Sequence, residues 1–318
     1  MLDGLRDPVI VKALGRVGAL FLAFAAFAFF LVVVKRARWE EVRSILKNYL
    51  AWLFILPVLF IPLLAGGRIW IGAVAVLSLV AFREFACATG LWRDRLVMWV
   101  ATACIAGVFY PVAARWYVLF LVMPIFATLV LLTVPLGRDR FDGMIQRTCL
   151  ALLGVIYFGW CLSHLGYLIH LKHGMRHDLF VVLLTELNDI AAYHIGKAIG
   201  VHPLSPRVSP HKTVEGTLGG LAAVGGLAFF FRGLVPEFST AHLLLVAILI
   251  AIAGTLGDLA ISFIKRDLGL KNLGKLIPGQ GGVLDRFDSL IFVAPVFFHF
   301  TVYFYKDLLP LTWGGPSW

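Results

Sequence analysis

Long apolar runs alternate with short polar segments along the whole chain. Ten runs are candidate membrane-spanning helices, near residues 17–34, 49–66, 69–82, 96–113, 116–135, 149–171, 179–200, 216–231, 241–263 and 289–305. Most have the roughly 17–25 residues that a spanning helix needs. The runs at 69–82 and 216–231 are short, and the second is rich in glycine, which suits close packing between helices. The pattern predicts an all-α polytopic membrane protein with about nine or ten transmembrane helices.

Composition and charge support a membrane location and set an orientation. The 318 residues are 60% hydrophobic and 14% charged, whereas soluble domains carry roughly 25% charged residues. The net charge of +10 would suggest a nucleic-acid partner in a soluble protein, but the positive-inside rule and lipid phosphates explain it better here. Alternate loops hold nineteen and nine Lys and Arg residues. We therefore expect the richer set, which includes 197–212 and 264–287, to face the cytoplasm, and both termini to lie outside if all ten runs span.

Two acids interrupt one of the apolar runs. Glu186, Asp189, Tyr193 and Lys197 are spaced by three, four and four residues, so a helix places them on one face. An intramembrane carboxylate is costly unless it faces a cavity or a partner. The stripe predicts a polar cavity that serves a reaction. The alternative is an internal ion pair or hydrogen bond that only holds helices together.

A polar loop follows this helix. Residues 202–215 contain prolines that forbid a continuing helix, together with hydroxyl groups, imidazoles and cations. Such a set suits the binding of an anionic ligand. An ordinary cytoplasmic loop whose charges only orient the chain is the other interpretation.

The polar segment near the C-terminus carries the densest chemistry. Asp258, Ser262 and Lys265 share one helix face, and Asp285 and Asp288 share a face at the start of the next helix. Between the two helices lies a glycine-rich turn, whose backbone amides can approach a phosphate. Carboxylates at two helix ends can hold Mg²⁺ together with substrate phosphates. Four cations would neutralise those phosphates: Lys265, Arg266, Lys271 and Arg286. Helix capping by Asp285, with snorkelling cations, remains the alternative.

These residues resemble the signatures of a known family. The C-terminal pattern is Ser262-x-x-Lys265-Arg266, then Lys271, then Pro278-Gly279-x-Gly281-Gly282-x-x-Asp285-Arg286-x-Asp288. The upstream pattern is Asp189-x-x-Ala192-Tyr193-x-x-Gly196, followed by Ser209-Pro210-x-Lys212-Thr213-x-Glu215-Gly216. Together they resemble the phosphatidate cytidylyltransferases, also called CDP-diacylglycerol synthases, over residues 184–295. The chain is accordingly divided into N-terminal transmembrane helices, 1–175, and a C-terminal catalytic region, 176–318, within one membrane domain.

The resemblance implies an activity and roles for individual residues. It implies cytidylyl transfer from CTP to phosphatidic acid of the cytoplasmic leaflet. The expected cofactor is Mg²⁺, with room for a second cation. The expected location is a bacterial inner membrane, and the chain could form a homodimer. Asp258 and Asp285 are the expected metal ligands. The expected catalytic residues are Asp258, Asp285, Asp288, Lys265 and Arg286. The expected substrate-binding residues are Asp189, Tyr193, Ser209, Lys212, Thr213, Ser262, Arg266, Lys271, Gly281 and Gly282.

The chain also departs from the family pattern. Asn272 stands where the family usually has Asp, Gln280 where it usually has His, and His211 where Lys is common. These changes bear on the substrate and the rate more than on the class of reaction. Two other interpretations stay open: a CTP-dependent enzyme that acts on another lipid or polyprenol acceptor, and an ion-coupled transporter. Transporters usually carry internal repeats, and none is visible in this sequence.

Overall fold

The computed structural model describes residues 3–35, 56–139, 142–274 and 281–308. Its helices are α1 (Pro8–Lys35), α2 (Leu56–Ala65), α3 (Gly67–Ala88), α4 (Arg95–Ala113), α5 (Tyr117–Arg138), α6 (Met144–Gly154), α7 (Leu162–Leu168), α8 (Gly174–Ile199), α9 (Val214–Phe230), α10 (Thr240–Asp267) and α11 (Leu284–Phe304). A π-helical segment, Val155–Cys161, joins α6 to α7. Strands β1 (Pro203–Ser205) and β2 (Ser209–Thr213) pair as an antiparallel hairpin.

Seven helices of the described residues are long and apolar enough to cross a membrane. They are α3, α4, α5, the continuous helix Met144–Leu168, α8, α10 and α11. The prediction of an all-α polytopic membrane protein is thereby confirmed. The predicted run at 17–34 lies within the 28-residue helix α1, and the run at 216–231 forms the 17-residue helix α9. Much of the run at 49–66 lies outside the described residues.

The chain divides into two compact units, residues 1–70 and 71–318. The first contains α1, whose start is capped by the Asp7 carboxylate, which accepts a hydrogen bond of 2.9 Å from the amide of Val9. The boundary expected near residue 175 falls inside the second unit. All the polar residues that the sequence singled out also belong to the second unit.

Contacts between loops and helix ends define two ends of the helical bundle in the second unit. At the first, Arg147 Nη1 bonds to Asp94 Oδ2 at 3.2 Å, which joins the starts of α6 and α4. Arg266 Nε, near the end of α10, donates a hydrogen bond of 3.1 Å to the carbonyl of Val208 between the two strands. The hairpin and the last turn of α10 therefore lie at the same end, which we call the hairpin end.

The opposite end is defined in the same way. His170 Nε2, after α7, bonds to the carbonyl of Val112 near the end of α4 at 2.7 Å. The amide of Lys172 donates a hydrogen bond of 2.8 Å to the carbonyl of Leu308, beyond α11. Because α4 and α7 end here and α11 ends beside them, successive helices run in alternating directions between the two ends.

Helix α9 also crosses between the two ends, despite its length. It begins directly after the hairpin, and the segment that follows it meets the end of α11, where Tyr305 accepts a hydrogen bond of 3.1 Å from the amide of Ser239. Its 17 residues span about 25 Å, somewhat less than the roughly 30 Å of a hydrocarbon core. The prediction of a short spanning segment here therefore agrees with the chain path.

The helices differ in how much of their surface lies inside the bundle. Only 22% of the apolar window of α5 is buried, whereas 61% of that of α11 is buried. Large apolar side chains such as Ile125, Leu129 and Leu132 are exposed on α5. An exposed apolar face of this kind suits contact with lipid. Of these two helices, α11 is the more deeply buried, and it carries two of the predicted catalytic aspartates, Asp285 and Asp288.

Candidate active site

Two glycines of α10 allow its backbone to touch α11. A Cβ added at Gly257 would lie 2.6 Å from the backbone oxygen of Asp288 and 3.1 Å from Cα of Ser289. One turn earlier, a Cβ at Gly254 would meet Ser289 and Asn188 at 3.7 Å. Because Asp258 directly follows Gly257, this close approach brings the predicted aspartates of the two helices together.

The glycines at the start of α9 pack it against α8, as the sequence predicted. A Cβ at Gly216 would lie 2.6 Å from the carbonyl oxygen of Ala192, and one at Gly220 would lie 3.0 Å from Oδ1 of Asn188. Further along α9, Cβ atoms added at Gly225 or Gly226 would meet no atom of the described structure within 4 Å. The close packing is therefore confined to the half of α9 beside the predicted site.

Three carboxylates lie near one another where α8, α10 and α11 pack, and we call them the carboxylate cluster: Asp189, Asp258 and Asp288. Electrostatic repulsion acts between each pair of them. Asp189 accepts hydrogen bonds of 2.6 Å from Ser289 Oγ and 3.3 Å from Asn188 Nδ2. Asp288 is buried and accepts a bond of 3.0 Å from the amide of Ser289. Cations nearby would stabilise such a group of carboxylates inside a helical bundle.

Lysines from two different segments supply part of that positive charge. Lys212 of β2 forms an ion pair with Asp258, which also accepts a hydrogen bond of 3.3 Å from Ser262 Oγ. Both Lys212 and Lys265 attract the carboxylate of Asp288. The structure thus brings Asp189, Lys212 and Ser262, which the sequence assigned to substrate binding, to the predicted catalytic aspartates.

The turn before α11 is organised around Asp285. Its Oδ1 accepts a bond of 3.0 Å from Lys265 Nζ, and its Oδ2 accepts bonds of 3.1 Å from the amide of Leu273 and 2.9 Å from that of Gly282. Gly281 has a φ of 93°, in the region that favours glycine. Asp285 therefore holds the turn closed and joins it to α10, and the amides that it binds precede α11 rather than belong to its first turn.

A residue that the sequence reasoning missed completes this turn. Glu84, near the end of α3, accepts bonds of 3.1 Å from the amide of Val283 and 2.9 Å from that of Leu284, and so caps α11 from another helix. Gly274 and Gly282 lie so close to this carboxylate that a Cβ at either position would collide with it. The sequence shows Glu84 as a carboxylate at the end of a long apolar run. Because Arg83 stands next to it, the two residues resemble charges at a membrane surface.

The hairpin that carries Lys212 is closed at its base by a carboxylate. Glu215 accepts bonds of 3.1 Å from the amide of Val201 and 2.5 Å from Nδ1 of His202. Glu215 therefore ties the two ends of the polar loop together.

Several other predicted residues have structural contacts. Arg266 holds the hairpin by its bond to Val208, and Thr213 caps α9, with Oγ1 accepting a bond of 3.1 Å from the amide of Gly216. Arg286 attracts the buried carboxylate of Glu186. For these three residues, the contacts seen are positioning contacts, and their roles toward substrate stay predictions.

The remaining predicted residues lie at the edge of the site. Tyr193 is 53% exposed, and its ring packs edge-on against His194. Lys271 is exposed, and Ser209 pairs with Ser205 in the hairpin. Gln280 lies outside the described residues, whereas the side chain of Asn272 lies near Gly281, where an added Cβ would be 3.2 Å from Cγ of Asn272.

The charge of the site fits a divalent cation, which stays a prediction. Within the described ranges, no three His, Cys, Asp or Glu side chains are grouped closely enough to hold a metal by themselves. Mg²⁺ usually needs only one or two carboxylates plus phosphates and water. Asp258 is 29% exposed beside two other carboxylates and could supply one. Asp285 is 6% exposed and would have to release Lys265 to bind a cation.

These features together define a class of protein. Clustered carboxylates, two lysines and a glycine-containing turn at one end of an apolar helical bundle describe an integral membrane enzyme that acts on phosphates. The sequence model of the cytidylyltransferase family matches residues 46–304. The chain belongs to this family and is a membrane-bound nucleotidyltransferase.

Individual relatives are consistent with this assignment. A phosphatidate cytidylyltransferase of Staphylococcus epidermidis is 33% identical over 79% of this chain and 95% of its own length. That of Staphylococcus aureus strain COL is 31% identical over 75% of this chain and 92% of its own length. YnbB of Escherichia coli K12, described as an uncharacterized protein, is 35% identical over 72% of this chain and 78% of its own length.

Proposed function

We propose that this chain transfers a cytidylyl group from CTP to phosphatidate, which yields CDP-diacylglycerol and pyrophosphate for phospholipid biosynthesis. The observation that carries the proposal is the meeting of the two family signatures at one site, where Lys212 of the upstream signature pairs with Asp258 near the downstream one. The relatives named phosphatidate cytidylyltransferase support the choice of acceptor.

The chemistry requires little from a general base. The phosphate monoester of phosphatidate has a second pKa of about 6, so it is mostly dianionic at neutral pH and can attack the α-phosphorus of CTP directly. The bond between the α- and β-phosphates then breaks, and pyrophosphate leaves. The main barrier is the approach of two polyanions, which calls for fixed positive charge.

Named residues of the site can provide that charge. Lys212 and Lys265 are 24% and 14% exposed and already neutralise carboxylates, so an arriving phosphate would compete for them. Arg286 and Arg266 flank the same end of the bundle. Asp285 and Glu84 hold the turn before α11 in place, so that its backbone amides and Lys265 keep a fixed geometry.

A metal ion would add to this positive charge. Asp258, with Asp285 or Asp288, would hold Mg²⁺, which when bound neutralises phosphate oxygens and leaving pyrophosphate. The mutual repulsion within the carboxylate cluster supports a cation in this place.

The proposed orientation follows from charge. The polar segments 197–212 and 264–287 belong to the loop set that holds nineteen of the 28 Lys and Arg residues. By the positive-inside rule, we place the hairpin end at the cytoplasmic face of the bacterial inner membrane. CTP would then enter from the cytoplasm, and phosphatidate would enter sideways from the cytoplasmic leaflet.

An acceptor panel tests the proposal. The purified protein in detergent would receive cytidine-labelled CTP and Mg²⁺ with either phosphatidate, a polyprenyl phosphate or no acceptor. We expect label in the lipid phase with phosphatidate alone. Label that appears only with the polyprenyl phosphate would assign a different acceptor, and the absence of labelled lipid in all reactions would contradict the proposal.

A further inference from the structure

A half-buried tyrosine whose hydroxyl oxygen is buried lies beside the carboxylate cluster, on a helix that neither family signature includes. Tyr157 belongs to the π-helical segment Val155–Cys161, which interrupts the long helix Met144–Leu168. A π-helical turn holds an extra residue and so changes the face on which the following side chains lie, and such segments occur often at functional sites. The segment alone would not define a role, but the surroundings of Tyr157 do.

The depth of Tyr157 is set by its contact with α11. Its ring packs edge-on against Phe292, with ring centroids 5.5 Å apart. Phe292 follows Asp288 by four residues, so both side chains lie on the same face of α11 and Phe292 is one turn further from the hairpin end. Tyr157 therefore lies on the membrane-interior side of the carboxylate cluster.

The hydroxyl group of Tyr157 is unused by the protein itself. It is buried, and it makes no hydrogen bond within the described structure. The carboxylates of Asp288 and Asp258 lie close enough to interact electrostatically with it. A buried hydroxyl normally has a partner, because leaving it without one costs about 1–3 kcal/mol. A polar ligand that enters the site from the membrane interior would provide the missing acceptor.

We infer that the Tyr157 hydroxyl binds the headgroup of the lipid acceptor, by donating a hydrogen bond to an oxygen of its phosphate. The inference rests on the proposed function and adds a lipid-specific contact to it. The nucleotide is hydrophilic and approaches from the hairpin end, whereas the acyl chains of the lipid remain in the membrane. Because Tyr157 lies on the membrane-interior side of the cluster, its hydroxyl is placed to contact the lipid rather than the nucleotide.

The substitution Tyr157→Phe tests this, because it removes the hydroxyl and keeps the ring that packs on Phe292. A hydrogen bond to a charged group corresponds to a loss of about 10–100-fold in kcat/KM for phosphatidate. We expect that loss, with an increased KM for phosphatidate and an unchanged KM for CTP. Tyr167→Phe is the control, since Tyr167 is a buried tyrosine of the same long helix that lies near the opposite end. It should leave both constants unchanged.

Two results would overturn the inference. One is a kcat/KM for Tyr157→Phe within about threefold of the wild type, which is too small for a lost hydrogen bond to a charged group. The other is a loss that falls equally on CTP and phosphatidate. If the wild type makes no CDP-diacylglycerol, the proposed function fails, and thermal stabilisation by short-chain phosphatidate decides the inference separately. Stabilisation of the wild type but not of Tyr157→Phe would support it, and equal or absent stabilisation would contradict it.

Discussion

Glu84 offers a test of how the turn before α11 is held. Its carboxylate is 8% exposed and accepts bonds from the amides of Val283 and Leu284, across about two hundred residues of sequence. In Glu84→Ala both amides lose their partner in a buried place. Each loss costs about 1–3 kcal/mol, so we expect a total of roughly 2–6 kcal/mol of stability.

The expected effect on activity is comparable in free energy to the effect on stability, because a 100-fold loss of rate corresponds to about 2.7 kcal/mol. Without Glu84, the turn that carries Gly282 and Asp285 loses its attachment to α3. A displacement of about 1 Å at a reacting group can cost on the order of 100-fold in rate. We therefore expect Glu84→Ala to lower kcat/KM about 100-fold. Glu84→Gln should fall between Glu84→Ala and the wild type, because the amide oxygen can still accept one of the bonds.

The assay compares kcat/KM and thermal unfolding of the purified variants in detergent. Arg83→Ala is the matched control, since Arg83 is the exposed neighbour of Glu84 and should change neither quantity much. The combination of Glu84→Ala with Gly282→Ala adds a sharper test. Gly282→Ala alone should be harmful because its Cβ collides with the Glu84 carboxylate, but it should add little once Glu84 is Ala. Wild-type activity and stability of Glu84→Ala would refute the reasoning.

Three further predictions concern the metal, the topology and a departure from the family pattern. Asp285→Asn should reduce turnover at least about 100-fold without preventing membrane insertion, because it weakens the bond to Lys265 and the expected cation site; full activity at ordinary Mg²⁺ would exclude both roles. In a variant without native cysteines, Val201→Cys should resist an impermeant thiol reagent in intact cells, whereas Lys306→Cys at the opposite end should react, and the reverse labelling would invert the orientation. Asn272→Asp should change the rate but not the product, because it adds a negative charge near Gly281 and the Asp285 carboxylate; a new lipid product would show that this position selects the acceptor.

Much of the fold follows from apolar periodicity because the membrane imposes it. Backbone groups in lipid must be satisfied within each segment, so long apolar runs become helices with little influence from tertiary context. The run at 69–82, among the least secure by length, forms the 22-residue helix α3, since its polar ends Arg68 and Arg83-Glu84 are still helical. The pairing of Asp285 with Lys265 was not predicted, because the sequence analysis assigned Asp285 to a metal ion and Lys265 to phosphates.

Contacts between distant parts of the chain were beyond sequence reasoning. Glu84 and Tyr157 lie outside the two signatures recognised in the sequence, and single polar groups in apolar helices have no periodic signal. The π-helical segment also has no apolar pattern that distinguishes it from an α-helix. Thr213 was expected to bind substrate from its place in a signature, but the position also serves as the cap of α9.

The central claim is that the bond broken lies between the α- and β-phosphates of CTP, with the cytidylyl group passing to phosphatidate. Two samples of CTP, one labelled at the α-phosphorus and one at the γ-phosphorus, test it most directly with purified protein, phosphatidate and Mg²⁺. We predict that the α-label enters the lipid phase as CDP-diacylglycerol and that the γ-label leaves as pyrophosphate. Transfer of the γ-label to lipid with release of free CDP, as a kinase would give, would contradict the account.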